Sequence, residues 1–158
     1  MSGNHTILII AAMVLTSILM INSTKHMSES TDRTYEASAI LTAVSLGEEY
    51  IKEIASKNFD ENCIDVEPED STGFSSTIGH EPSEQYSTFD DIDDYDGYTK
   101  IISNDYIGTY SLTSIVEYVN SNNLDQKSYS RTRTKRITVL VSSDNLLDTL
   151  KLNYYSAY

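Results

Sequence analysis

Fifteen consecutive residues, Ile7 to Ile21 (ILIIAAMVLTSILMI), are apolar apart from Thr16 and Ser17, and no Lys, Arg, Asp or Glu precedes Lys25. A run of this kind has to be sheltered from water by lipid or by protein. A helix needs about 20 apolar residues to cross the hydrocarbon, and the uncharged stretch reaches that length when its polar ends, Asn4 to Thr6 and Asn22 to Thr24, lie at the interfaces. A removable signal peptide would carry a basic leading region and a small-residue cleavage site after the run. Neither is written here, so the segment is expected to be a retained anchor.

After Thr24 the chain turns polar without a helix breaker: residues 23–59 contain no Pro, and their only Gly is Gly47. Ala37, Ile40, Leu41, Val44, Ile51, Ile54 and Ala55 recur at three- and four-residue steps, the spacing of one helical face. Glu48 and Glu49 precede Lys52, and Glu53 precedes Lys57, at ion-pairing distance along a solvated helix. The economical expectation is one helix from about Asn4 to about Phe59, roughly 80 Å long. Its first half is greasy all round and its second half amphipathic. The alternative is a break between Ser23 and Glu29, where helix propensity is poor.

The formal charge of −13 is local. Residues 60–97 hold thirteen Asp and Glu with no Lys or Arg, and the rest of the chain carries eleven of each sign. Such a surface repels phosphate backbones, so nucleic acid is not an expected partner. This segment also holds both prolines and three of the six glycines, so it reads as a long connecting loop. At its end Asp90, Asp91, Asp93, Asp94 and Asp96 crowd into seven residues. They have enough oxygen for several of the six to eight ligands that calcium takes. The spacing is not that of an EF-hand, and a solvated turn or carboxylates capping backbone groups are the competing readings. No other cofactor is suggested. Cys63 is the only cysteine, which excludes an intramolecular disulfide.

From Tyr98 onward alternation takes over. YTKIIS, YIGTYSLTSIVEYV with Tyr106, Tyr110, Leu112, Val116 and Tyr118 in phase, RTRTKRITVLVSS with Ile137, Val139 and Val141, and LLDTLKLNYYSAY with Leu150, Leu152 and Tyr154 read as strands. The last two form an expected hairpin, and NSNNLDQKSYS reads as polar turn. Twelve Tyr with no Trp suggest a β-rich surface with rings packed and hydroxyls wet. Three or four antiparallel strands cannot cover their own apolar face, and the amphipathic helix is the available lid. The expected class is therefore α+β. It comprises an apolar helix (1–24), its amphipathic continuation (25–59), an acidic loop (60–97) and a small antiparallel β-domain (98–158), with the sheet covered by Ala37, Ile40, Leu41, Val44, Ile51 and Ile54.

This order of parts resembles the type IV pilin-like proteins. SAILTAVSLGEEYIKEIASKNFDE is similar to the amphipathic helix of minor pilins and type II secretion pseudopilins. FDDIDDYDGY is similar to a loop motif of minor pilins of the mannose-sensitive haemagglutinin type, and TKRITVLVSSDNLLDTLKLNYYSAY to their closing hairpin. Gly3 stands where that family's cleavage-point glycine would be, but Asn4 replaces the following aromatic and Leu8 the glutamate of the mature helix. The resemblance implies a structural, non-enzymatic subunit, held in the inner membrane before assembly and then part of an extracellular filament or periplasmic pseudopilus. Its partners would be copies of itself and other pilin-like subunits.

Ile7, Leu8, Ile10, Ala11, Val14, Leu15, Ile18 and Leu19 would then form the filament core. Small residues such as Ala11, Ala12 and Ser17 would let helices approach. Arg131, Arg133, Lys135 and Arg136, the one basic cluster, would pair with the acidic loop of a neighbour or remain solvated. A single-span membrane protein with a soluble cation- or partner-binding domain is the alternative. Catalysis is disfavoured because His5, His26 and His80 are scattered and no nucleophile elbow, phosphate loop or HExxH run occurs.

Overall fold

The computed structural model describes residues 3–63, 68–82 and 84–158. One α-helix, α1 (Gly3–Ala55), runs without interruption through Ser23 to Glu29, so the two-helix alternative does not apply. Thr24 and Thr31 each donate to the carbonyl four residues back at 2.9 Å, so their hydroxyls are satisfied along the helix. The leading Met1 and Ser2 lie outside the described residues. The chain forms two compact units, Met1–Ser38 and Ala39–Tyr158.

The second unit is the expected α+β arrangement: the last turns of α1 lie on an antiparallel sheet. The strands are β1 (Thr99–Asn104), β2 (Gly108–Asn120), β3 (Asn123–Lys127), β4 (Thr134–Ser143) and β5 (Leu150–Ala157). Their order is β1-β2-β4-β5, with β3 added at the far end of β2. Registers such as Leu112 with Val141, Val116 with Ile137, and Val139 with Leu152 bring the alternating apolar positions into line. Two strand expectations change. Tyr106 is in the β1–β2 turn and exposed, and Asn123–Lys127, read as turn, is a short, fully exposed strand.

The helix presents a different face to the sheet from the one its aliphatic residues suggest. Ala43, Tyr50, Ile51 and Ile54 are buried, and Val44 is half-buried, whereas Ala37, Ile40 and Leu41 are exposed, Leu41 at 71 %. The reason is Gly47. A Cβ there would sit 2.4 Å from Leu152 Cδ1 and 3.1 Å from Val141 Cγ2, so the bare turn lets α1 settle onto β4 and β5. Tyr50 then reaches inward, its hydroxyl 3.1 Å from Ser114 Oγ on β2. Gly47→Ala would gain up to about 1 kcal/mol of helix propensity and meet a methyl that can rotate away. Gly47→Leu has no such escape, and a net loss of about 1–3 kcal/mol is expected, read as a lower urea midpoint.

The acidic segment is more than a connection. Phe74, Phe89, Ile92 and Tyr95 are buried with the helix and sheet residues in one apolar cluster. It is stitched to the chain just past α1 by Asn58 N–H donating to Asp90 O (3.1 Å) and Ile92 N–H to Asn58 O (3.0 Å). Nor are all the tyrosines wet: Tyr50, Tyr95 and Tyr110 are each 1 % exposed, and the hydroxyls of Tyr50 and Tyr95 have protein partners.

Candidate functional site

Two features of the chain demand a functional explanation. The first is the surface of α1 between Ile7 and Ile21, where every large aliphatic or Met side chain is exposed, from 50 % at Ile18 to 74 % at Met20. The expected core residues Ile7, Leu8, Ile10, Val14, Leu15, Ile18 and Leu19 are all among them, and Ala11 is also exposed. Mean hydropathy over the most apolar window is 2.2, so the helix is long and apolar enough to cross a membrane. Its two hydroxyls are already satisfied along the helix. Thr16 Oγ1 donates to Ala12 O or Met13 O at 3.0 Å, and Ser17 Oγ donates to Met13 O at 2.8 Å. This polar content therefore costs little in an apolar environment.

The second feature is a lysine inside the sheet domain. Lys135 occupies the same alternate face of β4 as Ile137, Val139 and Val141, and it is 0 % exposed. Its ammonium donates to Phe59 O (2.6 Å) and Asp60 Oδ2 (3.1 Å) and lies 2.8 Å from Asp93 Oδ1. The rings of Phe59 and Tyr118 lie 4.5 and 5.1 Å from it. Lys135 therefore cannot reach a neighbouring subunit, which corrects the expectation that placed it in an intersubunit cluster. Its strand phase was the available signal.

The other basic residues are also engaged within the chain. Arg131 donates to Thr72 O and, at 2.9 Å, to Phe74 O, while Arg133 donates to Glu69 O at 3.1 Å. Arg136 pairs with Glu117, which also meets Lys127 at 3.3 Å. The local sequence arranges this simply: a basic strand entrance lies beside the carbonyl-rich turns of the acidic segment.

The two carboxylates around Lys135 are unequal. Asp60 accepts from Ser75 N–H (2.9 Å), Ser75 Oγ (2.9 Å), Asn62 N–H (3.2 Å) and Tyr118 OH (3.0 Å) besides Lys135. Burial alone would raise its pKa, but the Ser75 backbone donor and the Lys135 charge hold it below the usual carboxylate value. Asp93 is 3 % exposed, and neither of its oxygens receives an aligned hydrogen bond among the described residues. Burial pushes its carboxyl up to about 7 despite the nearby Lys135 charge.

The rest of the aspartate run does not converge on a common centre. Asp91 accepts from the N–H groups of Glu61 (2.6 Å), Asp93 (2.7 Å) and Asp94 (3.2 Å). Asp94 accepts from those of Asp90 (2.9 Å) and Asp91 (3.2 Å), and Asp96 from that of Val116 (2.8 Å). These are backbone-capping carboxylates, the competing reading of the motif. Carboxylate oxygens of Glu81, Glu84 and Asp94 do come within 4.8 Å of one another, so Asp94 alone of the expected calcium residues joins a convergent group. Contact with Glu81 carries the Glu84 carboxyl up to about 7.

These perturbations give stability a defined pH profile. Asp60, Glu53 and Glu117 have depressed folded values despite burial, through Ser75, Lys100 and Arg136 respectively. Their contribution is present above their unfolded values and lost as pH falls through the depressed folded ones. Asp91 works in the opposite sense. Burial lifts it to about 6, so its penalty is relieved as pH drops from about 6 towards 4. Urea unfolding at stepped pH is expected to show stability highest near pH 5 and falling steeply below 4.

No protein family profile matches the chain, and neither curated proteins nor solved structures give a significant match.

Proposed function

We propose that this chain is a structural subunit of a filament of the type IV pilin-like or pseudopilus kind, assembled by bundling its N-terminal helices. The observation that carries the reading is the Ile7–Ile21 surface: eleven large apolar side chains, all exposed, on a helix whose hydroxyls are already satisfied. The subunit waits in the inner membrane with this segment in lipid. On assembly it exchanges lipid for copies of itself and related subunits, and the sheet domain ends up on an extracellular or periplasmic filament exterior. Ala11, Ala12 and Ser17 supply the small positions at which helices approach. With Leu8 in place of a glutamate, packing and not an ion pair sets the register. The role is structural, with no catalytic step.

A second reading keeps the helix permanently in lipid as a single-span anchor, favoured by its length and hydropathy. Deleting Ile7 to Ile21 separates the filament reading from its failure. The shortened chain is expected to be soluble and monomeric by sedimentation, with the cooperative unfolding of the sheet domain retained. Filaments formed by the shortened chain would refute the proposal.

A further inference from the structure

We propose that Lys135 and Asp93 condense into an intramolecular isopeptide bond, with Asp60 as the proton carrier, so that the mature chain is covalently closed between β4 and the Asp93–Tyr95 turn. The inference stands apart from the filament reading and concerns only the sheet domain. Nζ of Lys135 lies 2.8 Å from Asp93 Oδ1 and 3.1 Å from Asp60 Oδ2. The three residues are 0, 3 and 0 % exposed. Reacting groups held in contact and away from water have a large effective concentration and no solvent shell to rearrange.

The surroundings divide the roles. Asp60 has Ser75, Asn62 and Tyr118 as donors and stays a carboxylate after the lysine charge is gone. Asp93 has no aligned donor among the described residues, so nothing holds it in the charged form except the ammonium itself. Asp91, the other carboxylate near Asp93, is occupied by three backbone N–H groups. The interior as it stands holds two carboxylates against one ammonium, a costly arrangement. Condensation removes one charge of each sign and leaves Asp60 with its donors.

The step balances without any co-reactant. A proton passes from the Lys135 ammonium to the Asp93 carboxylate across their contact, giving an amine and a carboxylic acid. The amine lone pair attacks Cγ of Asp93 and the C–N bond forms. Asp60 takes a proton from Nζ and returns it to the departing Asp93 hydroxyl, the Cγ–O bond breaks, and one water leaves. Nothing is oxidised or reduced. The remaining N–H keeps the Phe59 carbonyl, which already accepts from Nζ at 2.6 Å.

Tryptic digestion of the denatured full-length protein tests this by mass spectrometry. Residues 58–100 contain no internal Lys or Arg, and cleavage at Arg133 and Arg136 isolates residues 134–136. The expected product is a branched species in which these two peptides are joined through Lys135, lighter than their sum by one water. Trypsin should not cut after Lys135. Lys135→Arg and Asp93→Ala are expected to abolish the branched species. Asp60→Asn is expected to leave a folded chain, checked by circular dichroism, that stays unlinked. Complete cleavage after Lys135 in the denatured wild type would overturn the proposal, and a linked Asp60→Asn chain would overturn the assignment of Asp60.

Discussion

Measured against the chain before the Lys135–Asp93 bond forms, Lys135→Met is expected to lower the unfolding free energy by about 3–5 kcal/mol, the range for removing one partner from a buried ionic group. The methionine fills much of the same space, but it strands Asp93, which has no aligned donor among the described residues. Asp60 suffers less because Ser75, Asn62 and Tyr118 remain. Adding Asp93→Leu should therefore recover the part of the loss that comes from the stranded charge. Lys127→Met provides the contrast: Lys127 meets Glu117 at 3.3 Å with its side chain 54 % exposed, and about 0–1 kcal/mol is expected. Urea unfolding of the three variants measures all of this. A loss at Lys135 no greater than that at Lys127 would mean that the interior charge is solvated after all.

Leu15→Arg is expected to abolish assembly while leaving the sheet domain intact. Leu15 is 62 % exposed in the middle of the apolar run, and an arginine at the centre of an apolar helix costs about 2.5–3.5 kcal/mol for membrane insertion. In a helical polymer the same charge is buried once per subunit, so the penalty recurs along the fibre. The position belongs to the Met1–Ser38 unit, so the urea transition of the Ala39–Tyr158 unit should shift by less than about 0.5 kcal/mol. Sedimentation should find the variant in the supernatant under conditions where the wild type pellets.

The sequence makes the large features legible because they rest on periodicity. The uninterrupted helix follows from the absence of Pro between residues 23 and 59, and the principal strands from alternation such as Ile137, Val139 and Val141. The helix face is mistaken where the reading counts only aliphatic residues. Ala37, Ile40 and Leu41 fit the period, but the real contact is set by the missing side chain at Gly47 and the ring of Tyr50. Strand β3 is polar and exposed, and it exists through pairing with the end of β2, a tertiary fact with no local pattern. The acidic segment reads as connection because its aspartates outnumber the Phe and Tyr that enter the core.

Lys135 is the most instructive case. Charge composition places it in a surface cluster with Arg131, Arg133 and Arg136, yet strand phase places it on the inward face. Phase wins because a strand cannot rotate one residue out of register without turning Ile137, Val139 and Val141 to solvent. The phenylalanine, aspartate and tyrosine gathered around the ammonium come from residues 59, 60, 93 and 118. Their convergence depends on the folded path of the acidic segment, which no spacing rule encodes.

Electron microscopy of the purified full-length protein as detergent is withdrawn is the most direct measurement. If the leading helix is an adhesive surface for its own kind, fibres should grow with the Ile7–Ile21 segments packed together at the axis and the sheet domains outside. Discrete particles at every concentration, or fibres in which those side chains face solvent, would contradict it.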